Sequence, residues 1–291
     1  MTRRLLRRKK PPRNDVTETG DIMLRFTANL GLLFADVPLP QRIAKAAEMG
    51  FRVVEVWSPY LDPMEEILSA KESAGVEIVQ FNMDRIDMKA GERGNLSLPE
   101  NQSRFRADLQ LAIEVAQKLG AKRFNALIGN ISEKATHEEQ VDCMKENLRW
   151  AQPLLEQADL TLVTEPACLQ LNPRYFMPRP SDVFALIREL NLPNVKVQYD
   201  LFHAQMAEGN LTLTIKENLA WIANLQIADA PGRNQPGTGE INYRRVLEAV
   251  ESFDYEGRVA LEFNPAGTVD EALAWLPRES RVEGSAKDLK L

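Results

Sequence analysis

From Met23 onward, short apolar runs alternate with longer stretches of helical period. The runs are "MLRFTANL" (23–30), "RVVEVW" (52–57), "VEIVQFN" (76–82), "KRFNALIG" (122–129), "LTLVTEP" (160–166), "VKVQYD" (195–200), "NLQIAD" (224–229) and "RVALEF" (258–263). Each is rich in β-formers and lacks the polar alternation of a solvent-facing sheet, which predicts parallel strands covered on both faces. Three amphipathic stretches between them, 39–50, 61–75 and 100–120, end in Gly50, Gly75 and Gly120, where a helix C-cap favours positive φ. A fourth, 136–158, opens on Thr136 as an N-cap with an acidic first turn. Further helices are expected near Pro180, Thr212, Asn242 and Thr268. Eight strand–helix units in strict alternation predict an α/β fold, a closed (β/α)₈ barrel in a single domain over 23–277, rather than an open doubly wound sheet. The charged segment 278–291 reads as a loose tail.

Composition narrows the class without naming it. The 44% apolar and 27% charged fractions are ordinary for a globular protein. No run approaches the roughly 18 apolar residues of a membrane span, so no membrane partner is expected. Cys143 and Cys168 are the only cysteines, which argues against a disulfide framework and for a reducing, cytoplasmic setting. The charge is uneven. Residues 1–22 hold seven basic and three acidic side chains, a surplus of +4, so the chain's net −6 leaves −10 on the remainder. An acidic body argues against nucleic acid as a partner. The basic stretch has no apolar core of a signal sequence, and Pro11-Pro12 breaks any helix, so a disordered tail is expected there. Neither glycine-rich nucleotide-binding pattern occurs, which weakens dinucleotide and P-loop readings.

Chemistry gathers at the strand ends, where a barrel of this kind builds its active site. Glu165 ends the fifth strand, Asp200 the sixth, Gln226 lies within the seventh, and Glu262 ends the eighth. These strands are consecutive around the ring, so their inward side chains converge. Three carboxylates and an amide oxygen in a low-dielectric pocket repel one another unless a cation stands among them. An all-oxygen set suits a hard divalent ion, Mg²⁺ or Mn²⁺, whereas zinc prefers more nitrogen or sulfur and the chain has only His137 and His203.

His203 follows Asp200 by three residues and is placed to donate to a substrate oxygen, whereas His137, in a polar first helical turn, is expected at the surface. After the seventh strand comes a long loop, "APGRNQPGTGEINY". Its Arg233 has the chemistry of a clamp for a substrate carboxylate, and its Gly237 and Gly239 let the backbone fold over the mouth. A second loop, 88–99, offers Glu92 and Arg93, the latter as a substrate contact.

Several of these pieces carry a family resemblance. "RFTANL", "NMDRIDMKAGERG", "EP" at 165–166, "VQYDLFH", "LQIADAPGRNQPGTGEINY" and "LEFNP" resemble the hydroxypyruvate isomerase family of the xylose-isomerase-like TIM-barrel superfamily, from Met23 to about Pro277. The resemblance implies an aldose–ketose type isomerase of a small 2-oxo acid. Glu165, Asp200, Gln226 and Glu262 would hold the ion, and Glu165 and Glu262 would pass a proton through a cis-enediolate. It further implies substrate contacts at His203 and Arg233, with Asn82 in the pocket at the end of the third strand. The chain departs from the family pattern at Phe81, at Cys168 and at Asn264, all at or near the pocket, which leaves the substrate open. Hydroxypyruvate and a 2-oxo-tetronate are the leading candidates. A ketose 3-epimerase, or a barrel that binds a sugar acid without turnover, stands as the alternative. A homo-oligomer is left open.

Overall fold

A computed structural model describes residues 23–291. The expectation of a basic tail over 1–22 lies outside the described residues. Eight strands carry the barrel: β1 (Leu24–Asn29), β2 (Val53–Val56), β3 (Glu77–Asn82), β4 (Arg123–Leu127), β5 (Thr161–Glu165), β6 (Val195–Asp200), β7 (Ile222–Ile227) and β8 (Val259–Leu261). Each pairs in parallel with the next, and β1 pairs with both β2 and β8, so the sheet closes on itself. Around it run α1 (Leu39–Glu48), α2 (Met64–Ala74), α3 (Gln102–Leu119), α4 (His137–Ala158), α5 (Pro180–Leu190), α6 (Leu201–Ala207), α7 (Leu211–Asn218), α8 (Tyr243–Ser252) and the short α9 (Val269–Ala272). The closed (β/α)₈ barrel follows from this pairing.

Helix ends form where the local chemistry asks for them. Gly75 and Gly120 sit in the left-handed region at φ 61° and 72° as caps of α2 and α3. Thr136 caps α4 with a reciprocal capping box: its hydroxyl accepts from the Glu139 N–H while the Glu139 carboxylate accepts from the Thr136 N–H. Two helices rather than one follow β6, because Asp200 itself caps α6 at once and the chain breaks again at Gly209-Asn210.

Two expectations need correction. The strands do alternate. Phe26 and Ala28, Val54 and Val56, Phe124 and Ala126, and Leu225 and Ile227 are buried apolar positions in the layer between sheet and helices. The intervening positions, among them Asn29, Glu55, Gln80, Asn125, Gln198 and Asn224, are buried and polar, and hydrogen-bond to one another across the barrel interior. The polar half of the pattern therefore faces an enclosed network, not solvent and not an apolar core. The segment 278–291 is not loose either. Its β9 (Glu283–Gly284) pairs antiparallel with the start of β1. Arg281 is buried and donates to the carbonyls of Leu276 and Met49, and Leu289 is buried beside α8, whose Arg244 binds the Leu289 carbonyl at 2.8 Å. Charged side chains on a segment whose carbonyls and leucines dock elsewhere are what made it read as a tail.

Candidate active site

The ends of β5 to β8 bring Glu165, Asp200, Gln226 and Glu262 together at one side of the mouth. Asp200 and Gln226 are direct partners in the β6–β7 ladder, and Glu262 follows the last residue of β8. All four are buried. Arg233 ties two of them: its Nη2 lies 2.9 Å from Glu262 Oε2 and 3.3 Å from Asp200 Oδ2. His203 Nε2 stands 3.8 Å from Glu165 Oε1 and 3.7 Å from Asp200 Oδ2. Glu165, Asp200 and His203 each offer a donor atom within 4.8 Å of the others, a grouping with the size of a metal site.

Each carboxylate has one oxygen anchored and one turned to the cluster. Asp200 Oδ1 accepts the N–H groups of Phe202 and His203 at the start of α6, which leaves Oδ2 for Arg233. Glu165 Oε2 accepts from Gln198 Nε2 at 2.6 Å and Asn125 Nδ2 at 3.1 Å. Gln198 is in turn bonded by Gln80, and Gln80 accepts from Arg123 Nε at 2.9 Å, so a donor-only guanidinium at the base of the chain orients every amide above it. Glu262 Oε1 accepts from Trp57 Nε1 at 2.5 Å and Asn29 Nδ2 at 3.2 Å. The indole lies so close to Gly31 that a Cβ there would stand 2.4 Å from the ring, which makes glycine a requirement of this contact.

Burial dominates the electrostatics. It pushes Glu165 well above the usual carboxylate range, with Glu262 and Asp200 adding to the shift. It raises Asp200 to about 7 against the opposing pull of Arg233. His203 moves the other way, well below an ordinary imidazole, because it is buried and faces Arg233. The ring is therefore neutral, and its tautomer is set: the Cys168 N–H donates to Nδ1 at 3.2 Å, so the proton sits on Nε2. A protonated Nε2 is a donor aimed at the cluster, not a metal ligand. For His203 this chemistry outweighs the proximity of its nitrogen to two carboxylates.

The long loop after β7 is tied by one side chain. Asp229 accepts the N–H groups of Ala230, Gly237, Gly239 and Ile241, closing the loop on itself. A Cβ at Gly239 would lie 2.0 Å from the Ala230 carbonyl oxygen, so a side chain there would open the knot. The Arg233 carbonyl accepts from Asn264 N at 2.8 Å, which pins the arginine over β8.

The remaining expected residues separate. Asn82 accepts from Asn125 and lines a cavity of about 600 Å³ with Trp57, Tyr60, Leu61 and Met88, a cavity whose walls include none of the four clustered residues. Arg93 is not brought to the carboxylates: it binds Asn172 Oδ1 at 2.6 Å and the carbonyls of Met88 and Glu92, holding its own loop together. Glu92 pairs with Arg104, and His137 is exposed. Asn29, Trp57, Asn125, Gln198 and Glu55 were missed. The signal that picked out Gln226, a polar residue inside a buried strand, was present at Asn125, Gln198 and Glu55 as well.

Comparison with known proteins agrees with this architecture. A family described as the xylose isomerase-like TIM barrel matches residues 43–279. The chain is 37% identical over 254 residues to the hydroxypyruvate isomerase of Escherichia coli, covering 87% of this chain and 98% of that enzyme. It is 33% identical over 254 residues to the 2-oxo-tetronate isomerase of Cupriavidus necator, again covering 87% and 98%. Among solved structures, a protein titled AP endonuclease, family 2, from Brucella melitensis superposes with a TM-score of 0.83 at 35% identity, covering 87% of this chain and 98% of that one.

Proposed function

The chain belongs to the hydroxypyruvate isomerase family of xylose isomerase-like TIM barrels, and on that premise we propose that it isomerises a small 2-oxo or 2-hydroxy acid, interconverting hydroxypyruvate and tartronate semialdehyde, with the aid of Mg²⁺ or Mn²⁺. The observation that carries this reading is the pair Glu165 and Glu262, two buried carboxylates on opposite flanks of one cluster, with Asp200 and Arg233 between them.

The residues fit a hard divalent ion. Every donor is oxygen, three are buried carboxylates that share the single guanidinium of Arg233, and Gln226 Oε1 is buried with no hydrogen-bond partner among the described residues. Glu165, Asp200, Gln226 and Glu262 would hold it. When bound, the ion supplies Lewis-acid polarisation of the substrate's carbonyl and neighbouring hydroxyl oxygens.

The chain's own groups do the rest. One glutamate takes the proton from the hydroxyl-bearing carbon C3, and a proton is returned to the former carbonyl carbon C2 by the other. The bond from C3 to hydrogen breaks, one from C2 to hydrogen forms, and the proton on the C3 hydroxyl moves to the C2 oxygen, so ketone and primary alcohol become secondary alcohol and aldehyde. His203 Nε2–H donates to a substrate oxygen in the course of this shift. Arg233, whose Nε has no partner among the described residues, is free to bind the substrate carboxylate.

The cavity of about 600 Å³ walled by Trp57 and Tyr60 favours a second reading, in which the substrate is longer than three carbons: a 2-oxo-tetronate or a ketose. Incubation with hydroxypyruvate and Mn²⁺ in D₂O, followed by NMR, tests the first. Deuterium appearing at C3 of the substrate and at C2 of the product is the expected result; no exchange with hydroxypyruvate but exchange with a four-carbon acid or a ketohexose selects the second.

A further inference from the structure

Glu55 stands on β2 in the barrel interior, and no part of the reaction described above uses it. Its carboxylate receives three side-chain N–H donors. Asn224 Nδ2 reaches Oε1 at 2.6 Å, while Gln226 Nε2 and Asn29 Nδ2 reach Oε2 at 3.1 and 3.3 Å. The orientation of Asn29 is fixed independently, because its Oδ1 accepts the Gly31 N–H at 2.9 Å, and its nitrogen must then face Glu55 and Glu262. Glu55 thus sits in a ring of donors, with both of its oxygens engaged.

A glutamine amide has two ends of nearly equal shape and opposite chemistry. Turned over, Gln226 would set its oxygen against Glu55 Oε2, acceptor on acceptor, and leave –NH₂ as its free end. With the nitrogen bound to Glu55, the oxygen is the end left without a partner. Across the barrel the same problem is solved with opposite sign: Arg123, which can only donate, orients Gln80 and then Gln198, so that an N–H reaches Glu165.

We propose that Glu55 is the positioning residue of the ion site: by accepting the Gln226 amide nitrogen it turns the Gln226 oxygen toward the divalent ion. The inference rests on the ion site proposed above. It explains why an acidic side chain lies buried on β2 and bonds to Gln226.

Isothermal titration of the metal-free protein with Mn²⁺ provides the test, with thermal melting to monitor the fold. Glu55→Gln allows the Gln226 amide to turn over, and is expected to weaken Mn²⁺ binding about 10- to 100-fold, the usual cost of losing a partner behind a ligand. The double variant Glu55→Gln/Gln226→Glu keeps the charge and removes the need for orientation, since a glutamate presents oxygen whichever way it turns. It is expected to bind Mn²⁺ within about threefold of the unaltered protein, a rescue that a merely structural role would not produce. Undiminished binding by Glu55→Gln, or a folded double variant as weak as the single one, overturns the inference while the ion site stands. If Glu55→Gln fails to fold, the double variant alone decides in the same way. Absence of Mn²⁺ binding to the unaltered protein overturns the ion site itself, and this inference with it.

Discussion

The peptide N–H of Cys168 donates to Nδ1 of His203 at 3.2 Å, and the Cys168 thiol lies 3.1 Å from the same nitrogen. A residue on the loop after β5 thereby dictates which face of an imidazole on α6 carries the proton. His203→Leu, which removes the donor, is expected to lower kcat/KM on the order of 10²-fold, the usual effect of deleting one donor to a developing charge. His203→Gln should recover part of that loss, because its amide can still donate. Steady-state kinetics of the two variants check this. Equal activity in Leu and unaltered protein would remove His203 from the site.

Glu165→Gln and Glu262→Gln should each abolish proton transfer, a fall of about 10²- to 10⁴-fold or more in kcat. Neither should unfold the protein, since each replaces a buried carboxylate by an isosteric amide that needs no counter-charge. Solvent-deuterium exchange separates their roles: the variant that still washes out substrate deuterium retains the residue acting first.

Arg233 neutralises Asp200 and Glu262 while leaving its own Nε without a partner among the described residues. Arg233→Gln is expected to raise KM for a carboxylate substrate by about tenfold or more, the worth of a lost charge-assisted pair. Mn²⁺ affinity should rise in the same variant, because the ion becomes the remaining positive charge for both carboxylates. Titration calorimetry and kinetics on one preparation read both effects.

Metal-free protein should become more stable on acidification from pH 8 to pH 5. Asp200, Glu55 and Asp84 are each raised to about 7, chiefly by burial, and Glu165 is likewise raised well above the usual carboxylate range. Between about pH 4 and 7 the folded state holds protons that the unfolded chain has lost, so stability falls as pH rises, by up to about 1.4 kcal/mol per pH unit per group. His203 acts in the opposite sense. Its lowered value means the unfolded chain takes up a proton below about pH 6.5 that the folded state refuses, which costs stability on the acid side. Four raised acids outweigh one lowered base. Melting curves across this range, with and without Mn²⁺, check the prediction, and the ion should flatten the dependence.

Tyr175 offers a test of stability alone. Its hydroxyl donates to the Glu165 carbonyl at 2.9 Å and accepts from the Ile128 N–H at 3.0 Å. Tyr175→Phe strands that buried N–H and should cost about 1–3 kcal/mol, measurable by chemical denaturation.

What could be read from the chain alone was set by how local its cause is. Strand and helix positions rest on period and caps, which are properties of neighbours in sequence, and Thr136 with Glu139 or Gly120 after Leu119 are complete signals. Glu165, Asp200, Gln226 and Glu262, which the fold brings together, stood out because each is a polar residue within or at the end of an apolar run on consecutive strands. Trp57 and Asn29 did not, since an indole reaching Glu262 across 205 positions leaves no local trace. Arg93 could not be placed for a related reason: loop arginines look alike in sequence, and the fold shows this one donating to Asn172 and to the carbonyls of Met88 and Glu92.

The polar lining of the barrel bears on how the protein can be engineered. Asn29, Asn224 and Gln226 bond Glu55 in one network that reaches Glu262, and Gln80, Gln198 and Asn125 form a second that ends on Glu165. Cohesion against heat comes instead from the apolar layer between strands and helices. Attempts to gain thermal resistance should therefore be confined to that outer shell, where repacking leaves the arrangement of the clustered carboxylates alone, whereas a library that diversifies the lumen will disturb that arrangement first.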